Sequence, residues 1–260
     1  MTNQVIDNCN LKSQKYLDSI DQWTDNKLMM LNVKKTKAIQ FNFSKNLQFK
    51  TDLVLKRQKI ENVQEIKLLG LILTSDLRWD RNIDYLVKDA NKRMAMLHAA
   101  SKFTSDKSVL RQIYYSRIRC KLDQSCVVWN SSLTQQNVSD LERVQKAAMR
   151  IINGKNYESY SNTLKELGMV SLAERRDILC LKFAKKSLKV ENFGHLFPIS
   201  LKQHAMGTRH SDIYKINNCF GKRYMKSAIP SMQRILNRDK RKQVEALKRI
   251  SLMSPTNFAC

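Results

Sequence analysis

The chain has 260 residues, with 47 Lys and Arg against 23 Asp and Glu, a formal net charge of +24 at pH 7. It carries only 6 Gly and 3 Pro, where average usage would give about 18 and 13. That scarcity disfavours sandwiches, barrels and Gly-rich nucleotide-binding folds and favours long helices, while an apolar content of 42% argues against wholesale disorder.

Taken in chain order, the spacing of Tyr16, Leu17, Ile20, Trp23 and Leu28 predicts a first helix. Ala38 to Phe43 alternates and carries aromatics, which predicts a strand. The run Ile66-Lys-Leu-Leu-Gly-Leu-Ile-Leu73 is nearly all apolar, which predicts a second strand buried on both faces. Helices then take over. Ile83, Leu86, Val87, Ala90, Met94 and Leu97 keep one stripe, and Val109, Leu110, Ile113, Tyr114 and Ile118 mark another. Ser139-x-x-Glu142 has the form of a capping box. It predicts a helix starting at Ser139 that buries Leu141, Val144, Ala147, Ala148, Ile151 and Ile152 and ends at Gly154. Ser171-x-x-Glu174 repeats the signature before Ile178, Leu179 and Leu181. From Glu191 to about Tyr224 the chain reads as a loop or linker, and a last helix is expected over Asp239 to Ser251 in the Lys/Arg-rich run from Lys222 to Arg249. No internal repeat or low-complexity tract is present.

The charge bears most on partners. A surplus of +24 repels itself on compaction, and a polyanion relieves that repulsion. Nucleic acid is therefore the expected partner, and no membrane partner is expected. No run approaches the roughly 18 apolar residues of a transmembrane helix. Met1 to Asn10 lacks the basic-then-apolar order of a secretory leader. The six cysteines form no C-x-x-C pair and read as reduced thiols in an intracellular protein, nuclear or cytoplasmic.

No nucleotide loop, zinc-protease or nucleophile-elbow motif occurs. His204 and His210 with Cys219 make at most a partial metal site, and His98 reads as a semi-buried structural histidine. There is no Asp-Asp dipeptide, and Asp21/Asp25 and Asp80/Asp84 read as solvent-facing or N-terminal helix charges rather than metal seats. No metal ligand is assigned. Arg111, Arg117, Arg119 and Lys121 accompany Tyr114 and Tyr115. The cations could track phosphates while the rings stack on bases, or the tyrosines could pack inside a bundle. Arg143, Lys146 and Arg150 fall at i, i+3 and i+7 on the polar side of their helix, a stripe suited to a duplex backbone.

Several of these blocks carry a family resemblance. Trp23, Asn26, Leu28, Leu31, Asn32, Lys35, Thr36 and Phe41 follow the pattern W…N.L.LN..KT..I.F. It resembles the segment after the catalytic turn in reverse transcriptases of non-LTR, LINE-type retrotransposons, especially jockey-like elements. Ile66 to Leu73 with Asp76, Leu77 and Trp79 resembles the KYLG…LD..L.W block, and Gln112 to Trp129 the IY.S.I…VW block of its thumb. Leu141-Glu-Arg-Val-Gln145 with Ala148 and Arg150 to Ile152 resembles LE.VQ..A.RII, and Leu172, Arg175 and Arg176 match L..RR. Thr208-Arg209-His210 and Ala228 to Asn237 are faintly similar to a closing TR…A…WN.LP, without its Trp and Leu-Pro.

The resemblance spans roughly 14–240. It implies a mainly α chain with a small β part: an incomplete palm of a helix plus short antiparallel strands (1–75), a thumb-like helical bundle (76–190), and a linker with a basic helical tail (191–260). It implies that Lys35 matches the family lysine near the incoming nucleotide, or is simply a surface lysine beside Lys34 and Lys37. It makes Leu69 and Gly70 a primer-grip-like hairpin, where a strand Gly is the alternative. The catalytic Asp-Asp turn of the family lies upstream of the first helix and is not in this chain. As it stands the fragment is therefore expected to be no enzyme. It is expected to hold no cofactor, the magnesium of the intact enzyme included, and to keep a thumb that binds RNA, DNA or an RNA–DNA hybrid. Apolar residues of the first helix and strands would pack on the missing upstream palm and fingers, leaving an exposed patch here. The alternatives are a piece that complements an active polymerase, or a non-enzymatic helical interaction protein.

Overall fold

The computed structural model describes residues 2–41, 43, 51–199, 213–216 and 221–239. They form two compact units, Met1–Tyr85 and Leu86–Cys260.

The first unit opens with α1 (Thr2–Asn26) and continues through β1 (Lys37–Ile39), β2 (Val54–Leu55), β3 (Gln58–Lys59), β4 (Glu61–Val63), β5 (Glu65–Leu68) and β6 (Leu71–Thr74). It runs into the start of α2 (Asp80–Ala100). The strands pair two by two. β1 lies parallel to β4, with Lys37 opposite Glu61 and Ile39 opposite Val63. β2–β3 and β5–β6 are antiparallel hairpins. The expectation of antiparallel strands thus needs one correction, the parallel β1–β4 pair.

The single strand expected at 66–73 is also corrected. Leu69 and Gly70 both hold positive φ, 50° and 83°. Two successive residues in that region make the tight turn whose twist suits a hairpin, so the chain folds back on itself there. Neither strand of this hairpin is buried on both faces, and Leu68 and Leu69 are exposed. The Ile72 amide is met by Asn82 Oδ1 at 3.1 Å, a fully buried side chain of α2. Asp76 prepares the start of α2. Its carboxylate accepts from Thr74 Oγ1 at 2.7 Å and from the Arg78 amide at 3.0 Å. Burial pushes the Asp76 pKa up, but these two hydrogen bonds and the Arg78 charge outweigh it and the net shift is downward.

α1 lies with its polar edge inward. Asn10, Gln14, Leu17, Asp21 and Thr24 are its more buried positions. Gln14 exchanges two hydrogen bonds with the Val54 backbone, and Asp21 and Asp25 both reach Lys56 Nζ, at 3.5 and 3.1 Å. The apolar stripe points outward: Tyr16 is 72% exposed, Ile20 50% and Trp23 53%.

The second unit is helical. α3 (Lys107–Ile113) passes without a break into a π-helical stretch, Tyr114–Arg119, and then α4 (Cys120–Leu122). Its buried residues are Leu110, Tyr114, Ile118 and Leu122, a strict four-residue repeat. In an α-helix such a repeat drifts by about 40° per step. The wider π turn takes up the drift and keeps all four side chains on one side. α5 (Cys126–Trp129), α6 (Gln135–Asn153), α7 (Tyr160–Glu166) and α8 (Leu172–Ser187) follow, then α9 (Lys222–Met225). A helix at 228–239, α10, puts Met232 and Leu236 against Ala184 and Phe197.

The two capping-box signatures part ways. Ser171 does cap α8, its side chain accepting from the Glu174 amide at 3.2 Å. α6, however, starts before Ser139. Thr134 is its cap, accepting from the Asn137 amide at 3.1 Å, and Ser139 sits inside the helix. Glu142 is thereby free to serve the interior. Gly154 closes α6 at φ 52°, as its position in the pattern suggested. The expected linker from Glu191 contains a 3₁₀ turn, Glu191–Leu196, and the helix expected from Asp239 is preceded by α10. Residues 240–251, His204, His210, Cys219 and the Thr208–His210 match lie outside the described residues. His98 is exposed in the last turn of α2 rather than semi-buried.

Losing a cap costs about 1 kcal/mol. Thr134→Ala and Ser171→Ala should each lower stability by that amount in urea unfolding, whereas Ser139→Ala should stay within about 0.5 kcal/mol of the parent. A larger loss for Ser139→Ala than for Thr134→Ala would contradict the observed start of α6.

Candidate nucleic-acid interface

The second unit is organised by a polar network inside its bundle. Tyr114, fully buried, donates its hydroxyl to Gln145 Oε1 at 2.6 Å. Gln145 Nε2 donates to the Tyr160 hydroxyl at 2.8 Å and to the Val170 carbonyl at 3.0 Å. Tyr160 in turn donates to Glu142 Oε1, which also accepts from the Leu172 amide at 3.3 Å. Burial, first of all, pushes both tyrosine hydroxyls up, and the bond to Glu142 adds to the shift of Tyr160. Both therefore stay protonated donors at any pH near neutral.

A second cluster surrounds Arg176, which is 0% exposed. Its Nε donates to Asn130 Oδ1 at 2.9 Å, and its guanidinium lies 5.9 Å from the Trp129 ring. Burial lowers its pKa, while the charges of Glu142, Asp123 and Asp177 work to hold it ionised. Asp123 also takes Arg175 Nε at 2.6 Å, with Arg119 Nε at 4.0 Å.

These contacts divide the sequence-derived candidates. Arg111 is turned to structure, donating Nη1 to the Leu167 carbonyl at 2.7 Å. Arg119 lies 3.4 Å from the centre of the Tyr115 ring and near Asp123. Lys121 reaches Gln124 Oε1 at 3.4 Å, and Arg117 is exposed. Tyr114 is a core residue and offers no ring for stacking. Tyr115 is half-buried under Arg119. In the first unit, Lys35 is exposed in a turn held by Asn32, and Leu69 stands 91% exposed at its hairpin tip beside Gly70.

The α6 stripe fares differently. Leu141, Val144, Gln145, Ala148, Met149 and Ile152 occupy the buried side of the helix. Arg143, Lys146 and Arg150 are therefore left exposed along one edge, spread over about 10 Å of helix. Arg143 touches Asp140 at 3.0 Å, a solvent-facing pair worth little. Among the described residues, no carboxylate lies within ion-pair distance of Lys146, Arg150, Arg117 or Lys121.

Sequence reasoning missed two aromatic partners of this stripe. Gly154 ends α6, a 3₁₀ turn (Gly154–Asn156) reverses the chain, and Ser159 caps α7 by accepting from the Asn162 amide at 3.2 Å. That turn brings the Tyr157 ring to 5.7 Å from the Arg150 guanidinium and the Tyr160 ring to 5.5 Å from Lys146 Nζ. A cation over a ring at an exposed site gains about 0.5–1 kcal/mol, which helps hold each long side chain in place while its N–H donors stay available. The signal was the pair of tyrosines just after the helix-ending glycine, legible only once the reversal is known.

Among the described residues, no group of three or more His, Cys, Asp or Glu is placed to hold a metal ion, and no helix is long and apolar enough to cross a membrane. No protein-family model, curated protein or solved structure matches the chain.

Tyr160→Phe should cost about 2 kcal/mol of unfolding free energy, because the Glu142 carboxylate loses its hydroxyl donor. Tyr157→Phe, whose hydroxyl is not part of this network, should be close to neutral. Equal losses in the two variants would contradict the network.

Proposed function

We propose that the chain is a nucleic-acid-binding fragment corresponding to the end of the palm, the thumb and the tail of a LINE-type, jockey-like reverse transcriptase. In this reading it is inert as a polymerase by itself. The observation that carries the binding part is the α6 edge: Arg143, Lys146 and Arg150 exposed in one line, the last two beside tyrosine rings. A row of guanidinium and ammonium groups neutralises successive phosphates and releases their counterions, which gives affinity without sequence preference. The ligand is RNA, DNA or their hybrid. The inert part rests on chemistry: nucleotidyl transfer through two metal ions needs adjacent carboxylates, and the sequence contains no Asp-Asp pair.

A second observation favours a related reading. The outward apolar stripe of α1, Tyr16, Ile20 and Trp23, is a face suited to protein contact. It supports the chain acting with a separate fingers-palm piece, or as a helical interaction protein.

The test is titration of an RNA–DNA hybrid at several salt concentrations. The parent should bind more weakly as salt rises. R143Q/K146Q/R150Q should reduce the slope of log affinity against log salt by about two to three, near one per lost phosphate contact. Arg111→Gln should act on stability first, through the lost bond to Leu167. Salt-independent binding, or a triple variant that binds like the parent, would sink the binding reading. Magnesium-dependent primer extension by the chain alone would sink the inert one.

A further inference from the structure

The second unit holds a cavity of about 230 Å³, and none of its lining residues lies on α6. Its polar wall comes from the turn after α5 (Asn130, Ser131), from α8 (Asp177) and from one face of α10, which carries Ser231, Arg234 and Arg238. Arg234 and Arg238 are four residues apart, so they project from the same side of that helix. Arg234 is held in place: its Nη2 donates to the Met225 carbonyl and to Ser231 Oγ, the latter at 2.7 Å. Among the described residues, nothing takes the donors of its Nε and Nη1, and no carboxylate lies within ion-pair distance of Arg238. The Ser131 hydroxyl is buried and likewise has no hydrogen-bond partner among them.

Apolar side chains, Val127, Met232 and Ile235 among them, complete the wall. Sites for drug-sized ligands begin at about 300 Å³, so the occupant is smaller, one charged group with a few carbon atoms attached. A carboxylate offers two oxygens, and a single guanidinium fork satisfies both. Two guanidinium groups and a hydroxyl around one cavity suit an anion with three free oxygens. We infer that this cavity binds a phosphate monoester, held between Arg234 and Arg238 with the Ser131 hydroxyl as a further donor.

Asp177 is the one carboxylate in the wall. Its Oδ1 accepts from Asn130 Nδ2 at 3.0 Å, and Asn130 Oδ1 accepts in turn from the buried Arg176 at 2.9 Å. The repulsion it exerts on an anion is thereby softened and not abolished. The source of the monoester is the phosphate at a 5′ strand end. A backbone phosphate inside a strand has only two free oxygens, and a continuous backbone runs past a small cavity where an end can enter it. This source rests on the nucleic-acid reading given above, whereas the phosphate site itself does not.

The experiment titrates the full chain with inorganic phosphate in a calorimeter, at constant ionic strength set with chloride. Saturable binding is expected. Arg238→Gln should weaken it about tenfold, through the loss of one charge-assisted contact, and Asp177→Asn should tighten it. R143Q/K146Q/R150Q should leave it unchanged. A gain of affinity in Asp177→Asn is not something a misfolded variant produces. Phosphate affinity that ignores both Arg238→Gln and Asp177→Asn, or that disappears in the α6 triple variant, would overturn the inference. A second arm compares oligonucleotides of one sequence ending in a 5′-phosphate or a 5′-hydroxyl. The phosphorylated strand should bind more tightly, Arg238→Gln should erase the difference, and the α6 triple variant should weaken both strands while keeping it. Equal affinity of the two strands, with a nucleoside 5′-monophosphate displacing inorganic phosphate, would overturn the strand-end source and assign the site to free nucleotides. Should nucleic acid fail to bind at all, the inorganic phosphate titration still decides the site.

Discussion

Glu142 is the constraint on which the helical unit turns. A carboxylate among packed helices is costly unless donors meet it. Here the Tyr160 hydroxyl and the Leu172 amide meet one oxygen, and Gln145 links the same tyrosine to Tyr114 and to the Val170 carbonyl. The π-helical continuation of α3 and helices α6, α7 and α8 thus share one set of hydrogen bonds. Partial loss is expensive, because each group removed strands another that water cannot reach. With the Glu142 side of α6 committed inward, the helix has one rotation available. That rotation exposes the edge bearing Arg143, Lys146 and Arg150.

The carboxylates elsewhere in the unit sharpen this arrangement. Asp123 serves Arg175 and Arg119, Glu166 serves Lys107, and Asp239 serves Lys185. The Lys107 bond, first, and Asn153 hold Glu166 below the usual carboxylate range. Acidic groups are thereby spent on particular partners, and the surplus positive charge is left where none faces it. The first unit sorts its groups in a comparable way. Asp21 and Asp25 hold Lys56 on the inner edge of α1, while Tyr16, Ile20 and Trp23 face out. Hydrophobic patterning marked this helix correctly as amphipathic, but on the single chain the hydrogen bonds of Gln14 to Val54 and the ion pairs to Lys56 decide which edge is covered.

Much of the fold was legible because it rests on short-range rules. The stripe from Ile83 to Leu97 anticipates α2, Gly154 anticipates the end of α6, and Ser171 anticipates the start of α8. The errors share a cause. Ser139-x-x-Glu142 satisfies the local pattern of a helix start, yet an earlier competent cap at Thr134 and a distant hydrogen-bond donor at Tyr160 claim the same residues. The run from Ile66 to Leu73 looks like one buried strand until Leu69 and Gly70 both take positive φ and split it. Of the basic candidates, i, i+3, i+7 spacing sufficed to put Arg143, Lys146 and Arg150 on one exposed edge of α6. No spacing could reveal that Arg111 is used on the Leu167 carbonyl, more than 50 residues away.

By itself, the sequence determined the helical character, the excess of positive charge and the amphipathic phase of most helices. These depend on composition and on neighbours within a turn or two. Only the tertiary structure decided which charges are free. A lysine or arginine is available to a phosphate when no carboxylate or carbonyl has been brought to it, and that depends on which distant segments the packing places beside it. The placing of Tyr157 and Tyr160 against Arg150 and Lys146 was settled in the same way, by the closing of a chain reversal that the sequence pattern does not announce.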